Sequence, residues 1–279
     1  MATFRQQSVI PGFGLTFGYT IFTLSTLVLI PLAALVIKTA GLDWDQFVKV
    51  LLDPRAIASY RLTFGGALLA ATINAVFGFI IAWTLVRYEF PGRRFLDALI
   101  DMPFALPTAV SGIALTAVFA KNGALGQYLE QWGIQVAYTW VGVVVALTLI
   151  GMPFVIRSVQ PALLEVQRDL EDAAETLGAS RFTIFWRIIV PTVLPALLTG
   201  FAMALARGIG EYGSVIFISG NLAYKTEITP FLIVMKLEEY KYAEAAALGF
   251  IMLMFSFALM LSINLLQAWG RRRLVTAGR

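Results

Sequence analysis

The sequence contains no cysteine and no histidine. These absences exclude disulfides, thiolate nucleophiles, iron–sulfur ligation and zinc sites built on either residue, and they remove the commonest general base. Charged residues are scarce, at 14%, against about 25% in ordinary soluble domains. Hydrophobic residues make up 59% of the 279 positions, and a soluble fold of this length would leave much of that surface exposed. The composition therefore favours a membrane protein without a metal site.

The uncharged parts of the sequence form long apolar runs. There are six of them, five without any charged side chain, at residues 15–37, 62–86, 102–120, 136–156, 188–218 and 245–269. About 20 apolar residues at 1.5 Å per residue cross a bilayer. Because backbone in hydrocarbon must satisfy its own hydrogen bonds, these runs predict helices. We therefore expect an all-α, polytopic membrane protein with about six transmembrane helices, forming a single transmembrane domain over residues 1–279.

The distribution of basic residues predicts the orientation. An even number of spans places both termini on one side together with the second and fourth loops; twelve arginines fall on that side, and eight basic residues fall on the other. The clusters Arg93–Arg94 and Arg271–Arg273 lie close to span ends, where the positive-inside rule is strongest. We predict cytoplasmic termini and outward loops near 40–60, 121–135 and 219–244. No basic stripe is interleaved with exposed aromatics, so no nucleic-acid partner is expected.

The longest predicted cytoplasmic segment is the loop at about 157–187. Apolar residues recur there at spacings of three and four, which predicts one face of a helix: Leu163, Val166, Leu170, Ala173, Ala174 and Leu177. Gly178 can end this helix in the left-handed conformation, and Ser180 can cap a second one that begins at Arg181. The alternative is a helix lying on lipid. Its polar face is mainly acidic, and the anionic inner leaflet repels carboxylates, so we favour a protein partner.

A glycine-rich segment, Gly208-Ile-Gly210-Glu-Tyr-Gly213, interrupts the fifth run. It fits the G-x-G-x-x-G pattern of dinucleotide-binding folds, but the strand and βαβ unit that this pattern requires are missing. Three glycines lower helix propensity. We therefore interpret Gly208, Gly210 and Gly213 as a hinge or a break in the helix. The sequence also contains no G-x-x-x-x-G-K-[ST] motif, so any ATP must be hydrolysed by a partner.

The cytoplasmic loop resembles a known family. Asp172-Ala173-Ala174, three residues, Gly178, nine residues and then Ile188-x-Val190-Pro191 is similar to the EAA loop of ABC importer permeases. Asp172 stands where that family favours Glu, and Val190 where it favours Leu. In the family this loop docks into a cleft on the ATPase subunit. The resemblance thus implies a coupling role for five residues: Glu171, Asp172, Ala173, Ala174 and Gly178.

Two further stretches narrow the resemblance, which runs over roughly residues 10–270. The segments 101–112 and 206–221, the latter followed by Tyr224-Lys-Thr-Glu-Ile228, resemble sulfate/thiosulfate permeases of the CysT type, with Tyr212 where the family usually has Phe. Membership would imply the type I importer fold in a bacterial inner membrane. It would also imply a second, related permease subunit in a heterodimer, two copies of an ATPase subunit that hold ATP and Mg, and a periplasmic sulfate-binding protein. No cofactor would be bound by this chain.

Arg207 and Glu211 are the one opposite-charge pair within a predicted span. A charge at the bilayer centre costs about 2.5–3.5 kcal/mol on insertion scales, so compensation is expected, and residues four apart on a helix can reach each other. In the first interpretation the pair holds the glycine-rich segment in shape. In the second, Arg207 attracts a dianion along a translocation pathway, helped by four neutral donors: Thr108, Ser111, Thr116 and Ser214. We weigh the first slightly above the second because isolated charge pairs are often conformational.

Other functions remain to be compared with a sulfate permease. A molybdate or tungstate permease of the same class would carry a tetrahedral dianion too. An ion-coupled secondary transporter usually has several intramembrane carboxylates, whereas only Glu211 lies clearly within a span here. An intramembrane enzyme would have no His, no Cys and no catalytic carboxylate pair to use. Co-purification of a nucleotide-binding subunit would distinguish the ABC permeases from the last two.

Overall fold

The computed structural model describes the backbone of residues 12–277 and the side chains of residues 12–265. Arg5 and Arg279, which contribute to the predicted orientation, lie outside the described residues, as do the side chains of Arg271–Arg273. The described chain is helical and contains no strand. Its elements are α1 (Phe13–Ala40), α2 (Trp44–Leu51), α3 (Pro54–Arg87), α4 (Arg93–Ile100), α5 (Met102–Ala105), α6 (Thr108–Phe119), α7 (Gly126–Gln131), α8 (Trp140–Glu165), α9 (Arg168–Thr176), α10 (Arg181–Ile209), α11 (Val215–Ile218), α12 (Thr229–Glu238) and α13 (Tyr242–Ala277).

Five of the described helices are long and apolar enough to cross a membrane, namely α1, α3, α8, α10 and α13. They confirm the predicted all-α polytopic fold and four of the six runs. The run 188–218 is corrected, because α10 starts earlier and ends at Ile209. Prolines are accommodated within three of these helices, at Pro31 of α1, at Pro153 and Pro161 of α8 and at Pro191 and Pro195 of α10. In a membrane, neighbouring helices and side chains can satisfy the carbonyls that a proline frees.

The third run, 102–120, is not one long helix. It consists of the four residues of α5, a break at Leu106 and Pro107, and the twelve residues of α6. The residue before a proline is driven away from the helical region, and Leu106 is extended accordingly, with φ −84° and ψ 133°. Twelve helical residues span about 18 Å, which is less than the hydrocarbon thickness of about 30 Å. The sequence predicted the crossing but not its break.

Three helices, α3, α8 and α10, form the centre of the bundle. Gly66 of α3 faces Val143 and Leu147 near the start of α8, and Gly78 faces Val155 further along, so α3 and α8 run parallel. Gly208 at the end of α10 also faces Leu147, so α10 runs antiparallel to both. Small residues let the backbones approach closely, as is common between membrane helices. Because α3 and α8 are parallel, residues 88–139 must carry the chain back through the bundle, and α5 with α6 provides that third crossing.

The bundle therefore has two ends, which we name by their surface helices. The α9 end holds the end of α3, α4 and the start of α10. The α12 end holds the start of α3, α11 and the segment 219–241.

An arginine at the α9 end fixes α4 against the bundle. Arg157 of α8 donates two hydrogen bonds to the carboxylate of Asp101, at 2.8 and 2.7 Å, and one of 2.7 Å to that of Asp97. Gln160 also donates to Asp97, at 3.0 Å. The hydrogen bond from Gln160 and then the ion pair with Arg157 hold the pKa of Asp97 below its ordinary value, against the opposing effect of burial. Ion pairs thus hold the short helix between two crossings, in addition to the packing of Ile100 against the core.

Candidate functional site

The predicted docking loop folds as two helices with a break between them. The apolar periodicity predicted one helix over 163–177, and this is wrong: α8 continues to Glu165, Val166 and Gln167 are extended, and α9 begins at Arg168. The two halves of the pattern have different environments. Leu163 and Val166 are buried in the bundle, whereas Leu170 and Leu177 are 53% and 89% exposed. A single straight helix could not serve both, and Asp169 and Glu171 in the first turn of α9 favour a new helix start there.

The predicted turn after α9 is confirmed. Gly178 has a φ of +83°, the left-handed conformation that favours glycine at the end of a helix. A Cβ at this position would meet no atom within 4 Å, so the requirement is conformational rather than steric. Ser180 then caps α10 by accepting a hydrogen bond of 3.2 Å from the amide of Thr183. The chain leaves α9 through a defined turn and enters the bundle again in α10.

The five predicted coupling residues lie on two sides of α9. Asp172, Ala173 and Gly178 are exposed, and Ala174 packs partly against the bundle. Glu171 faces inward instead, and its carboxylate accepts a hydrogen bond of 2.5 Å from Arg87, the last residue of α3. The structure therefore leaves Asp172 and Gly178 open to a partner, whereas Glu171 is engaged within the chain.

The glycine-rich segment interrupts the helix at the position where a hinge or a break was predicted. α10 ends at Ile209, and Glu211 lies beyond that end, not on a helix as expected. The ion pair still forms, with Nη1 of Arg207 2.5 Å from Oε2 of Glu211. The other oxygen, Oε1, accepts hydrogen bonds from the amide and the hydroxyl of Ser214 at 2.9 and 3.0 Å. The Glu211 side chain is 2% exposed and that of Arg207 is 36% exposed. One buried carboxylate thus holds both sides of the break together.

The first turn of α6 packs against this segment. A Cβ on Gly213 would overlap the hydroxyl of Thr108, and one on Gly112 would overlap the backbone of Ser214. None of the three predicted hinge glycines has a positive φ, so close approach explains Gly213 better than turn geometry does. Gly208 packs near Ala67 of α3. Thr108, Gly112, Gly213 and Ser214 are therefore brought together.

The remaining predicted pathway residues are less directly placed. Ser111 is buried beside Gly112. Thr116 lies further along α6 and donates to the carbonyl of Gly112 at 2.7 Å, which satisfies its hydroxyl within its own helix. Of the four neutral donors, Thr108 and Ser214 are thus the two that line the break itself.

A polar cluster at the α12 end was not foreseen from the sequence. Arg55 makes a two-bond ion pair with Glu227, at 2.7 and 2.6 Å, although the two residues are 172 positions apart. Beside it, the hydroxyls of Ser59 and Thr63 lie 3.1 and 3.2 Å from the hydroxyl of Thr229, and the Thr229 amide donates to Thr63 at 2.9 Å. The available signal was that arginines occupy the second and last positions of α3. Their partners depend on how distant helices pack.

A bundle of membrane-length helices with a buried ion pair at a broken helix and an exposed loop helix is compatible with a membrane transport component. Comparison with known proteins supports this class. The family described as binding-protein-dependent transport system inner membrane component matches residues 74–276. Two chains of solved structures share the fold. One belongs to a bacterial ABC transporter involved in the import of the acidic polysaccharide alginate, with a TM-score of 0.75 at 14% identity over 91% of this chain and 93% of that one. The other, from the alginate transporter in complex with an alginate pentasaccharide-bound periplasmic protein, has a TM-score of 0.73 at 18% identity over 93% of each chain.

Curated relatives are much more similar in sequence. The chain is 44% identical to the sulfate transport system permease protein CysT of Escherichia coli strain K12 over 99% of both proteins. It is also 44% identical to the protein of the same name from Synechocystis, over 91% of this chain and 88% of the relative. The chain belongs to the inner membrane components of binding-protein-dependent transport systems, and within them to the CysT-type permeases.

Proposed function

We propose that the chain is the permease subunit of an ATP-driven importer of sulfate and thiosulfate, and that it forms half of the translocation pathway. The observation that carries the proposal is the 44% identity to CysT permeases over 99% of the chain. A second, related permease would supply the other half of the pathway. A periplasmic sulfate-binding protein would deliver the anion. Two ATPase subunits, which hold ATP and Mg, would drive the cycle, because this sequence carries no P-loop motif.

The exposed face of α9 supports an ATPase as its partner. Leu170 and Leu177 are 53% and 89% exposed, and exposed apolar side chains rimmed by charged residues are typical of protein interfaces. Asp169, Asp172 and Glu175 surround them and are also exposed. Carboxylates at this density disfavour an anionic lipid surface. We infer that α9, the following turn at Gly178 and the start of α10 dock into the ATPase.

The proposed orientation places the α9 end in the cytoplasm and the α12 end outside. The native chain has no cysteine, so single cysteines report on it without interference. In intact cells, an impermeant maleimide should label Lys225→Cys at the α12 end and should leave Glu175→Cys unlabelled until the membrane is opened. Both positions are exposed, and neither side chain takes part in a described ion pair. Labelling of Glu175→Cys from outside would reverse the proposed topology.

The substrate proposal predicts a specific uptake defect. Deleting the gene should abolish uptake of labelled sulfate and thiosulfate at low external concentration, and plasmid-borne wild type should restore both. Uptake of labelled molybdate should be unaffected, since the proposal assigns sulfate and thiosulfate to this permease and not molybdate. Normal sulfate uptake in the deletion strain, together with lost molybdate uptake, would contradict the proposal. The purified wild-type complex should contain a nucleotide-binding subunit.

A further inference from the structure

Helix α3 has an ion pair at each end, and the two pairs connect it to the two ends of the bundle. Arg55, its second residue, pairs with Glu227, whose side chain is 1% exposed. Arg87, its last residue, pairs with Glu171 of α9. With 34 residues, α3 is about 50 Å long at 1.5 Å per residue. It is therefore long enough to connect the loop helix at one end with segment 219–229 at the other.

The hydrogen bonds along α3 are continuous over this length. The helix contains one proline, Pro54, at its first position, where the missing N–H costs nothing. By contrast, α8 contains Pro153 and Pro161, and α10 contains Pro195 and a π-helical turn at Phe185–Ile189. Internal prolines and π-helical turns are the usual sites of helix kinks. Helix α3 has neither, and its adjacent glycines Gly65 and Gly66, another kind of kink site, lie within one unbroken helix. Of these three central helices, α3 is thus the one best suited to move as a rigid unit.

The pair at the α9 end is arranged to hold α9 to α3. The Arg87 side chain is 12% exposed, and its guanidinium carbon lies 5.2 Å from the centroid of the Trp83 ring one turn earlier. Trp83 in turn contacts Phe185 of α10 edge to face, at 5.8 Å. Among the described residues, Glu171 is the one member of α9 that forms an ion pair. Since the apolar residues Leu170 and Leu177 point away from the bundle, this pair is a principal side-chain attachment of α9 to α3.

The connection at the α12 end is stronger. Arg55 binds both oxygens of Glu227, and Ser59 and Thr63 one and two turns further along bond to Thr229, which begins α12. Such a buried, multiply bonded attachment leaves little freedom between the start of α3 and segment 227–229. A displacement of α3 along or across the bundle must therefore carry this segment with it.

We propose that α3 is a connecting rod that transmits movement of α9 to segment 219–229, and that Arg87 is the positioning residue that engages it. This inference rests on the proposed function, because it takes the ATPase as the source of the movement at α9. When the ATPase closes and displaces α9, the Arg87–Glu171 pair pulls the end of α3. Arg55 and Thr229 then pass the displacement to the loop at the α12 end. Along the way, Ala67 of α3 packs against Gly208, so the same displacement reaches the break before Glu211.

The test measures an ATP-dependent change at one end while the charge is altered at the other. Lys225→Cys is introduced into the assembled complex, purified through a tag on this chain. The rate of maleimide labelling of this chain is then measured with and without ATP, Mg and orthovanadate. We expect a clear ATP-dependent change in the otherwise unaltered chain. In Arg87→Gln the ratio of the two rates should fall about fivefold or more, the lower end of common coupling energies. Subunit content and ATP hydrolysis should persist, a separation that a merely structural defect would not give.

Matched variants separate coupling from folding. Arg87→Lys, which keeps the cation, should retain most of the response, and Glu171→Gln should lose it as Arg87→Gln does. The controls Arg94→Gln and Glu89→Gln remove an exposed charge near the same end and outside the proposed docking face, without a described ion pair, and should respond as wild type does. If Arg87→Gln does not assemble, Glu171→Gln and Arg87→Lys decide the question. An unchanged response in assembled Arg87→Gln or Glu171→Gln would overturn the inference. No ATP response in the complex that carries Lys225→Cys alone would also overturn the inference. A tagged chain that co-purifies with no ATPase subunit would instead refute the proposed function.

Discussion

Replacing Gly178 by aspartate is expected to reduce sulfate uptake by about tenfold or more, the scale of a lost interface hot spot, while the permease still enters the membrane. The turn itself should still form, although a side chain in this left-handed conformation adds strain of about 1–2 kcal/mol. Gly178 has a φ of +83°, and a Cβ added there would meet no atom within 4 Å. Aspartate is also among the residues that enter the left-handed region most readily. The damage should instead come from a new carboxylate in the face that is proposed to dock into the ATPase, next to an already acidic α9.

A second glycine provides a matched control for this variant. Gly92, at the same end of the bundle, has a φ of +86° and equally open surroundings. It lies before α4, outside the proposed docking face, and an aspartate there meets the same left-handed backbone strain as at Gly178. Gly92→Asp should transport normally. The measurements are labelled sulfate uptake, the amount of permease in the membrane and the amount of ATPase that co-purifies. Uptake at the wild-type rate in Gly178→Asp would show that the turn has no docking role.

The elements that the sequence predicts well are those set by local patterns. The apolar runs, the left-handed Gly178 and the Ser180 cap each depend on a few neighbouring residues. The structure contains four of the six runs as predicted, together with the left-handed glycine and the cap. The break in the third run was also within reach, because Leu106 precedes a proline. It was missed because the run was identified from its mean hydropathy, which does not change where the backbone leaves the helical conformation before a proline.

The errors arise where long-range packing decides the outcome. The periodicity from Leu163 to Leu177 is continuous in sequence, yet its first part belongs to the bundle core and its second part to a separate helix. The pairs Arg55–Glu227 and Arg87–Glu171 join residues 172 and 84 positions apart. No local rule relates them, since their meeting depends on which helices are parallel. Glu211 lies between these two cases. Its ion pair with Arg207 was predicted correctly, but the prediction assumed that both residues lie on one helix, and α10 ends at Ile209, two residues before Glu211.

Neutralising both members of the Arg207–Glu211 pair is expected to restore uptake that neutralising the arginine alone destroys. Arg207→Gln leaves a carboxylate that is 2% exposed without its cation, and breaking a buried pair in this way costs about 3–5 kcal/mol. The complex should lose thermal stability and uptake together. Adding Glu211→Gln removes the buried charge, while the amide oxygen of the new side chain can still accept hydrogen bonds from Ser214. Exchanging the two charges would be less informative, since an arginine at 211 has no acceptor for the Ser214 amide.

The double variant also separates the two roles considered for Arg207. If the pair serves to hold the broken helix against α6, the Arg207→Gln/Glu211→Gln complex should assemble, and its uptake should return to within severalfold of wild type. This is the expected result, because each described contact of the Glu211 carboxylate is made within segment 207–214. The control Lys121→Gln/Glu130→Gln removes an exposed pair, with the lysine 80% exposed, and should change little. A stable double variant whose KM for sulfate rises about tenfold, or about 1.4 kcal/mol, would contradict the conformational role and assign Arg207 to the path of the anion.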